Sequence, residues 1–425
     1  MLTPLSIKPS FGFGDRLGLA TPGHIAALRH VANLQHSTFN VQPIFAQQSV
    51  RENTRTGRTP QQVLNDARRA VEAAGWDAPW GADADHLKSL DDLPPFVAAG
   101  YTFFTVDPGA HVDNAAAADP LFVLEEKAHG LDWDRLEALY LHSKEEQPWG
   151  RFDRQSLLRA ALKYGKAIEH TVSMYQRLSE MKDDFDFEVS VDETDAPTTP
   201  LEHFFIASEL IRLGVRFTSL APRFIGRFEK GVDYIGDPSM NSHRPGVLPG
   251  GQALATLDAE LARHAAVTAH FGTYKISLHS GSDKFSVYPL LAKHWGKRIH
   301  IKTAGTSYLE ALRTIAALDA NLFREIYAFA RERYENDRAS YHVSAELGRA
   351  PLPEDVKDPP ALLEQFDARE ILHVTFGSVL TEKTAASDWR FYDRLMDLLR
   401  ANSEAYAANL ERHFIRHLQP FITPD

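Results

Sequence analysis

The sequence predicts an α/β fold: a (β/α)8 TIM-like barrel with long helical insertions in several βα connections. Three observations predict it. Short apolar or alternating runs recur between long helical segments, which is the pattern of a parallel sheet. Eight such runs can be counted. Their polar residues gather towards the C-terminal ends, where barrels keep their chemistry. The 425 residues read as one catalytic domain, 1–425, because barrels often exceed the usual domain length. A doubly wound sheet is the runner-up.

The elements follow in order. KPSFGFG at 8–14 is the first strand, and Thr21-Pro22 opens a helix after it. PIFAQQSV at 43–50 and GYTFFTVDP at 100–108 are the next two strands. Residues 154–182 form a long amphipathic helix, with Leu157, Leu158, Ala161, Leu162 and Ile168 on one side. FEVSVDET at 187–194 is the fourth strand. Thr199, Pro200 and Glu202 then give a capping box with Pro at the first helical position, and this helix stops near Gly214. FTSLAPRF at 217–224, YKISLHSG at 274–281 and RIHIKTAG at 298–305 follow as strands. Residues 307–335 make one or two helices, and ILHVTFG at 371–377 is the eighth strand. The connections 51–99, 109–186 and 309–370 exceed a minimal helix with loops, so they carry extra helices or lids.

Composition narrows the function classes. The formal charge is −11, which argues against nucleic acid or an anionic membrane surface as main partner. No apolar run approaches 18 residues, and the N-terminus lacks the features of a signal peptide, so a cytoplasmic location is expected. Cysteine is absent, which removes disulfides, thiolate nucleophiles and thiolate zinc sites. The 19 histidines are roughly twice ordinary usage. Any transition-type metal must be held by imidazole and carboxylate. Homo-oligomerisation is left open.

Alternation in the strands assigns faces. Ser190 and Asp192, then Lys275, Ser277 and His279, then His300 and Lys302, and finally His373 and Thr375 point into the barrel. Ordinary barrels fill that space with Val, Ile and Leu. Buried His and Lys need partners, so they are expected to surround a polar site, a metal or an anionic substrate. His279 and His373 are the candidates at strand ends, while His300 lies one pleat deeper and reads as structural. Asp192 and Glu193 end the fourth strand and suit a proton-transfer carboxylate beside a metal ligand. The segment SGSDKFS, 280–286, offers Ser280, Asp283 and Lys284 as an anion nest. Asp15 and Arg16 are substrate-carboxylate or hydroxyl contacts. Gln48 and Arg223 are further sugar or carboxylate contacts. FGFGDRLG at 11–18 lacks the third glycine of a dinucleotide loop, with Leu17 in its place, which argues against a nicotinamide cofactor.

The segments SFGFGDRLGLATPGH, VSVDET, LHSGSDKFSVYP, YHVSAEL and LHVTFG together resemble the tagaturonate/fructuronate epimerase family of hexuronate catabolism. The resemblance runs from residue 10 to about residue 380. It implies a divalent-metal enzyme, the ion being Zn, Mn, Fe or Ni, that interconverts D-tagaturonate and D-fructuronate. It implies a proton acceptor and a metal ligand at Asp192 and Glu193, with His342 and His373 as further ligands. His279 is then another ligand or a proton-transfer residue, and Asp283 and Lys302 compete with it as proton donor. A retro-aldol route is favoured over redox chemistry on a bound nicotinamide. The competing classes are another metal-dependent sugar-acid isomerase or aldolase, and a non-catalytic sugar-acid-binding protein on the same fold.

Overall fold

The computed structural model describes residues 1–35, 41–142, 146–236 and 251–422. Eight parallel strands close into a barrel: β1 Ser10–Gly14, β2 Gln42–Ser49, β3 Gly81–Leu87, β4 Phe103–Val106, β5 Asp186–Ser190, β6 Ser219–Ala221, β7 Lys275–Leu278 and β8 Ile299–Thr303. β1 pairs with β2 on one side and β8 on the other, with Ser10 opposite both Gln42 and His300. Apolar positions such as Phe104, Val189, Ile276 and Ile301 pack outward against the helix layer and are buried there. The helix at Pro200–Arg212 starts as its sequence specifies, with Thr199 and Glu202 completing a reciprocal capping box. The long helix spans Arg154–Met181, and the 307–335 region divides into Thr306–Leu318 and Ala320–Asp337.

Two expectations are corrected. Residues 371–377 are not a strand: ILHV ends the helix Phe366–Val374, and Phe376–Thr381 is helical too. Every residue from Asp367 to Val374 is buried. A short helix without an exposed face reads like a buried strand, because periodicity cannot separate the two. The strand it displaced lies inside the supposed insertion 51–99. GADADHL forms β3, although Ala and Asp are poor strand formers. Its acids point into the barrel and pair there, which overrides propensity. The insertions at 109–186 and 309–370 do carry additional helices.

Candidate active site

The barrel interior is built from charges in layers. At the N-terminal end, the Lys275 ammonium donates to the carbonyls of Ser6 and Lys8 and to Ser10 Oγ at 2.8–2.9 Å. Burial lowers its pKa to about 8. His300 Nδ1 lies 2.9 Å from Ser10 Oγ. In the middle layer, Lys302 Nζ lies 2.7 Å from Asp83, 2.8 Å from Asp85 and 2.8 Å from Glu188. Burial opposes the lysine's charge, but the three carboxylates hold it protonated far above its usual range. Asp83 is the acid of this group that is pushed up, to about 7, by burial and by its neighbours Asp85 and Glu188.

The C-terminal layer forms the mouth. His279, just beyond β7, sets Nε2 2.6 Å from Glu188 Oε1. Its Nδ1 faces Ser190 Oγ at 3.2 Å, His86 Nε2 at 3.2 Å and Asp192 Oδ1 at 3.3 Å. Ser190 donates to Asp192 at 2.5 Å. Burial would raise the Asp192 pKa, but the His279 charge and hydrogen bond overcome it and keep the carboxyl ionised. His86 Nδ1 lies 3.3 Å from Asp107, which also binds Lys88 at 3.0 Å. Burial opposes protonation of His86, yet the Asp85 charge and the Asp107 bond lift it to about 10. Glu193 pairs with Arg51 at 3.2 Å. Two non-glycine residues at these strand ends, His86 (φ 53°) and Ser280 (φ 50°), hold left-handed backbone. Such strain persists where the surroundings enforce it and concentrates at functional sites.

Two chambers open here. The outer one, about 380 Å³, is lined by Asp192, Glu193, Arg223, Arg227, His342 and others. The inner one, about 30 Å³, is walled by Arg16, Gln47, Asp85, His86, Lys302 and His373 among others. Lys230, His279, Ser280 and Tyr341 line both. Among the described residues, two groups at the mouth bring three ligand atoms within 4.8 Å of one another: Asp85, His86 and His279, and His86, Asp107 and Glu193.

The expected residues therefore divide. Asp192, Glu193, His279, Ser280, Arg223, His342, Lys302, Arg16 and His373 all reach the mouth. Neither ligand group at the mouth contains His342 or His373, and Glu193 and His279 fall in different groups. His373 arrives from a helix and not from a strand end, and its ring is fully buried. Burial and the nearby Arg16 guanidinium hold that ring neutral. Asp283 lines neither chamber: Arg369, His413 and His417 bind its carboxylate. The Lys284 ammonium donates to the carbonyls of Glu229, Val232 and Ser282. Asp15 accepts from the amides of Leu17, Gly18 and Ala20 and caps its own turn. Gln48 bonds Thr56 and Arg58.

Sequence reasoning missed His86, Asp85, Glu188, Lys230 and Gln47. The alternating acids of GADADHL carry a signal for Asp85 and His86. A register shift between Ile44 and Ala46 hides which glutamine of β2 faces the mouth. No local pattern marks Lys230, which sits in the loop after β6.

A closed parallel barrel whose mouth gathers carboxylates, imidazoles and cations defines a barrel enzyme for a small polar molecule. The chain belongs to the tagaturonate epimerase family, whose model matches residues 3–421, and is an isomerase-class enzyme. It is 45% identical over 416 residues to the tagaturonate/fructuronate epimerase of Thermotoga maritima, covering 97% of this chain and 80% of that one. The fructuronate-tagaturonate epimerase of Cohnella laeviribosi is similar in its native crystal structure, at 37% identity and a TM-score of 0.88. Its crystal structure with one glycerol is 36% identical, with a TM-score of 0.89. Each covers 99% of this chain and 83% of its own. Among the described residues, no helix is long and apolar enough to cross a membrane.

Proposed function

We propose that this protein interconverts D-tagaturonate and D-fructuronate by retro-aldol and aldol chemistry with a divalent cation. Family membership supports the substrate pair, and the ionised Asp192 held against His279 at the mouth carries the mechanism.

The two keto-uronates differ at a hydroxyl-bearing carbon beta to the ketone. Its hydrogen is not acidified by the carbonyl, so enolisation cannot invert it. Removing the proton from that carbon's hydroxyl lets the oxygen electrons form an aldehyde. The bond to the alpha carbon breaks, and its electrons pass into the ketone fragment as an enediolate. Rotation of the aldehyde and re-addition to its other face give the epimer. Asp192 is the proton acceptor, being ionised, hydrogen-bonded and on the chamber wall. His279 is held in place by Glu188 and passes charge changes into the interior acid–lysine network. Lys302 acts as a fixed positive charge, since its three carboxylates keep its proton on. Arg223 and Lys230 face the substrate carboxylate from the outer chamber.

The donor set at the mouth fits a divalent ion, whose binding would displace the proton from His86. Imidazole nitrogens and carboxylate oxygens converge around His86, which both three-residue groups share. His86, with Asp85 and His279 or with Asp107 and Glu193, would hold the ion. A cation bound there supplies Lewis acidity towards substrate oxygen. The test is to load the protein with Zn, Mn, Fe or Ni, add tagaturonate and follow fructuronate by NMR. Epimerisation that a chelator abolishes is expected. Absence of conversion with every ion overturns the reading.

A further inference from the structure

The two chambers differ in free charge. In the inner chamber Arg16 and Lys302 are neutralised at once, while Lys230 borders both chambers. Arg16 Nε and Nη2 each lie 2.8 Å from Glu52 Oε1, and its guanidinium stacks 3.6 Å over the Phe376 ring. Lys302 has its three carboxylates. In the outer chamber the wall carboxylates Asp192 and Glu193 pair with His279, Arg51 and Lys88, and among the described residues Arg223 and Lys230 face them without a direct ion pair. Lys230 instead donates to Ser280 Oγ at 2.6 Å.

The inner chamber holds a different kind of unmet demand. Gln47 is 1% exposed, and both its amide oxygen and amide nitrogen lack a hydrogen-bond partner. His373 is 0% exposed, and both its ring nitrogens lack one. A buried polar atom left unpaired is costly, and four of them line one small space. The surrounding backbone is shaped to keep them there. A Cβ on Gly12 would lie 2.0 Å from Gln47 Oε1, and one on Gly305 would lie 2.2 Å from His373 Cε1. The chamber is therefore a built site whose hydrogen bonds await a guest.

The guest's chemistry follows from the donors. Amide and neutral imidazole each offer one or more donors together with an acceptor. Their match is a group that both donates and accepts without carrying charge, which is a hydroxyl. A space of about 30 Å³ suits one such group and not a second sugar carbon chain. We infer that Gln47 and His373 form a subsite for the terminal hydroxymethyl group of the keto-uronate, with its carboxylate directed to Arg223 and Lys230 in the outer chamber. This rests on the proposed substrate and adds the direction in which it lies. It makes Gln47 a specificity-determining residue that reads the end of the substrate remote from its carboxylate.

The experiment compares turnover of tagaturonate with turnover of the analogue whose terminal hydroxymethyl is a methyl group. A site built to bond a hydroxyl rejects the analogue lacking it. The wild-type protein should prefer tagaturonate in kcat/KM by about 100-fold or more. Gln47→Met should reduce that preference below about tenfold, while metal content stays unchanged and the protein melts no lower than wild type. A structural glutamine would instead lower the melting temperature. Gly12→Ala, which displaces the Gln47 amide, should reproduce the loss of preference. Arg223→Ala should raise KM for both compounds and keep the preference. Retention of the preference in Gln47→Met, or loss of bound metal from His373→Gln, overturns the inference. A wild-type protein that turns over neither compound overturns this inference together with the proposed substrate, whereas turnover of both at equal rates overturns this inference alone.

Discussion

The carboxylate of Glu188 touches His279 Nε2 at 2.6 Å and Lys302 Nζ at 2.8 Å through the same oxygen, Oε1. One buried atom thus joins the histidine of the mouth to the lysine of the interior. Its other oxygen accepts from Ser219 at 2.5 Å. Glu188→Gln keeps the shape and removes the charge. The amide no longer favours the orientation and charge of His279, so activity should fall by roughly 10²–10⁴. Unfolding by urea should show a loss of about 3 kcal/mol, because a buried cation loses one counter-charge. Steady-state kinetics beside urea titration checks both.

Asp192 and His86 should separate by phenotype. Asp192→Asn removes the proton acceptor and should lower kcat by roughly 10²–10⁴ with bound metal retained. His86→Ala should lose metal as well as activity, since His86 belongs to both candidate ligand groups. Metal analysis of the purified variants, with kcat, distinguishes the two roles.

Asp283 gives an acid-sensitive contribution to stability. Burial opposes its ionisation, but Arg369, His413 and His417 depress its pKa well below 3.8. A depressed carboxyl contributes stability that is present above its unfolded value, about 3.9, and is lost as pH falls towards the folded one. His413 also faces Glu310 at 3.4 Å. Asp283→Asn should therefore destabilise the protein at pH 7, and the difference from wild type should shrink below about pH 4. Urea midpoints between pH 3 and 7 report it.

Glu370 runs in the opposite direction. Burial and the neighbouring Glu229 push its pKa well above 4.5. Both acids bind the amide of Ser344, at 3.2 and 2.9 Å, beside Tyr341 and His342 of the mouth. A raised carboxyl contributes stability that is full below its unfolded value and is lost as pH rises through the folded one. Glu370→Gln keeps the neutral form at every pH. The variant should match wild type below about pH 4, where the unfolded carboxyl is also protonated, and exceed it in melting temperature increasingly as pH rises to 8 or 9.

Much of the fold was legible because hydrophobic alternation and helix caps are local. Thr199 with Glu202, and the inward Lys275, His279, His300 and Lys302, could be read directly. β3 was not legible, because Asp83 and Asp85 fit a strand only through Lys302, a residue more than 200 positions away in the chain. The helix carrying His373 has the sequence pattern of a strand because Asp367 to Val374 are all buried. Asp283 and Lys284 looked like substrate contacts in SGSDKFS, yet their partners, Arg369, His413 and the carbonyls of 229 and 232, lie far along the chain. The same holds for the mouth: Asp192 and Glu193 stood out beside a strand end, while Lys230 is placed by a loop without local signature.

The walls of the inner chamber come from Arg16, Gln47, His86, Lys230, His279, Lys302 and His373. These positions run from residue 16 to residue 373 of the 425. No contiguous fragment supplies more than part of that ring, and pairings of such long sequence separation form late and slowly. Recovery of turnover after dilution from denaturant is thus a clock for the final closure of β1 onto β8 and the docking of the His373 helix. Regain of helical signal measures only the earlier, local events.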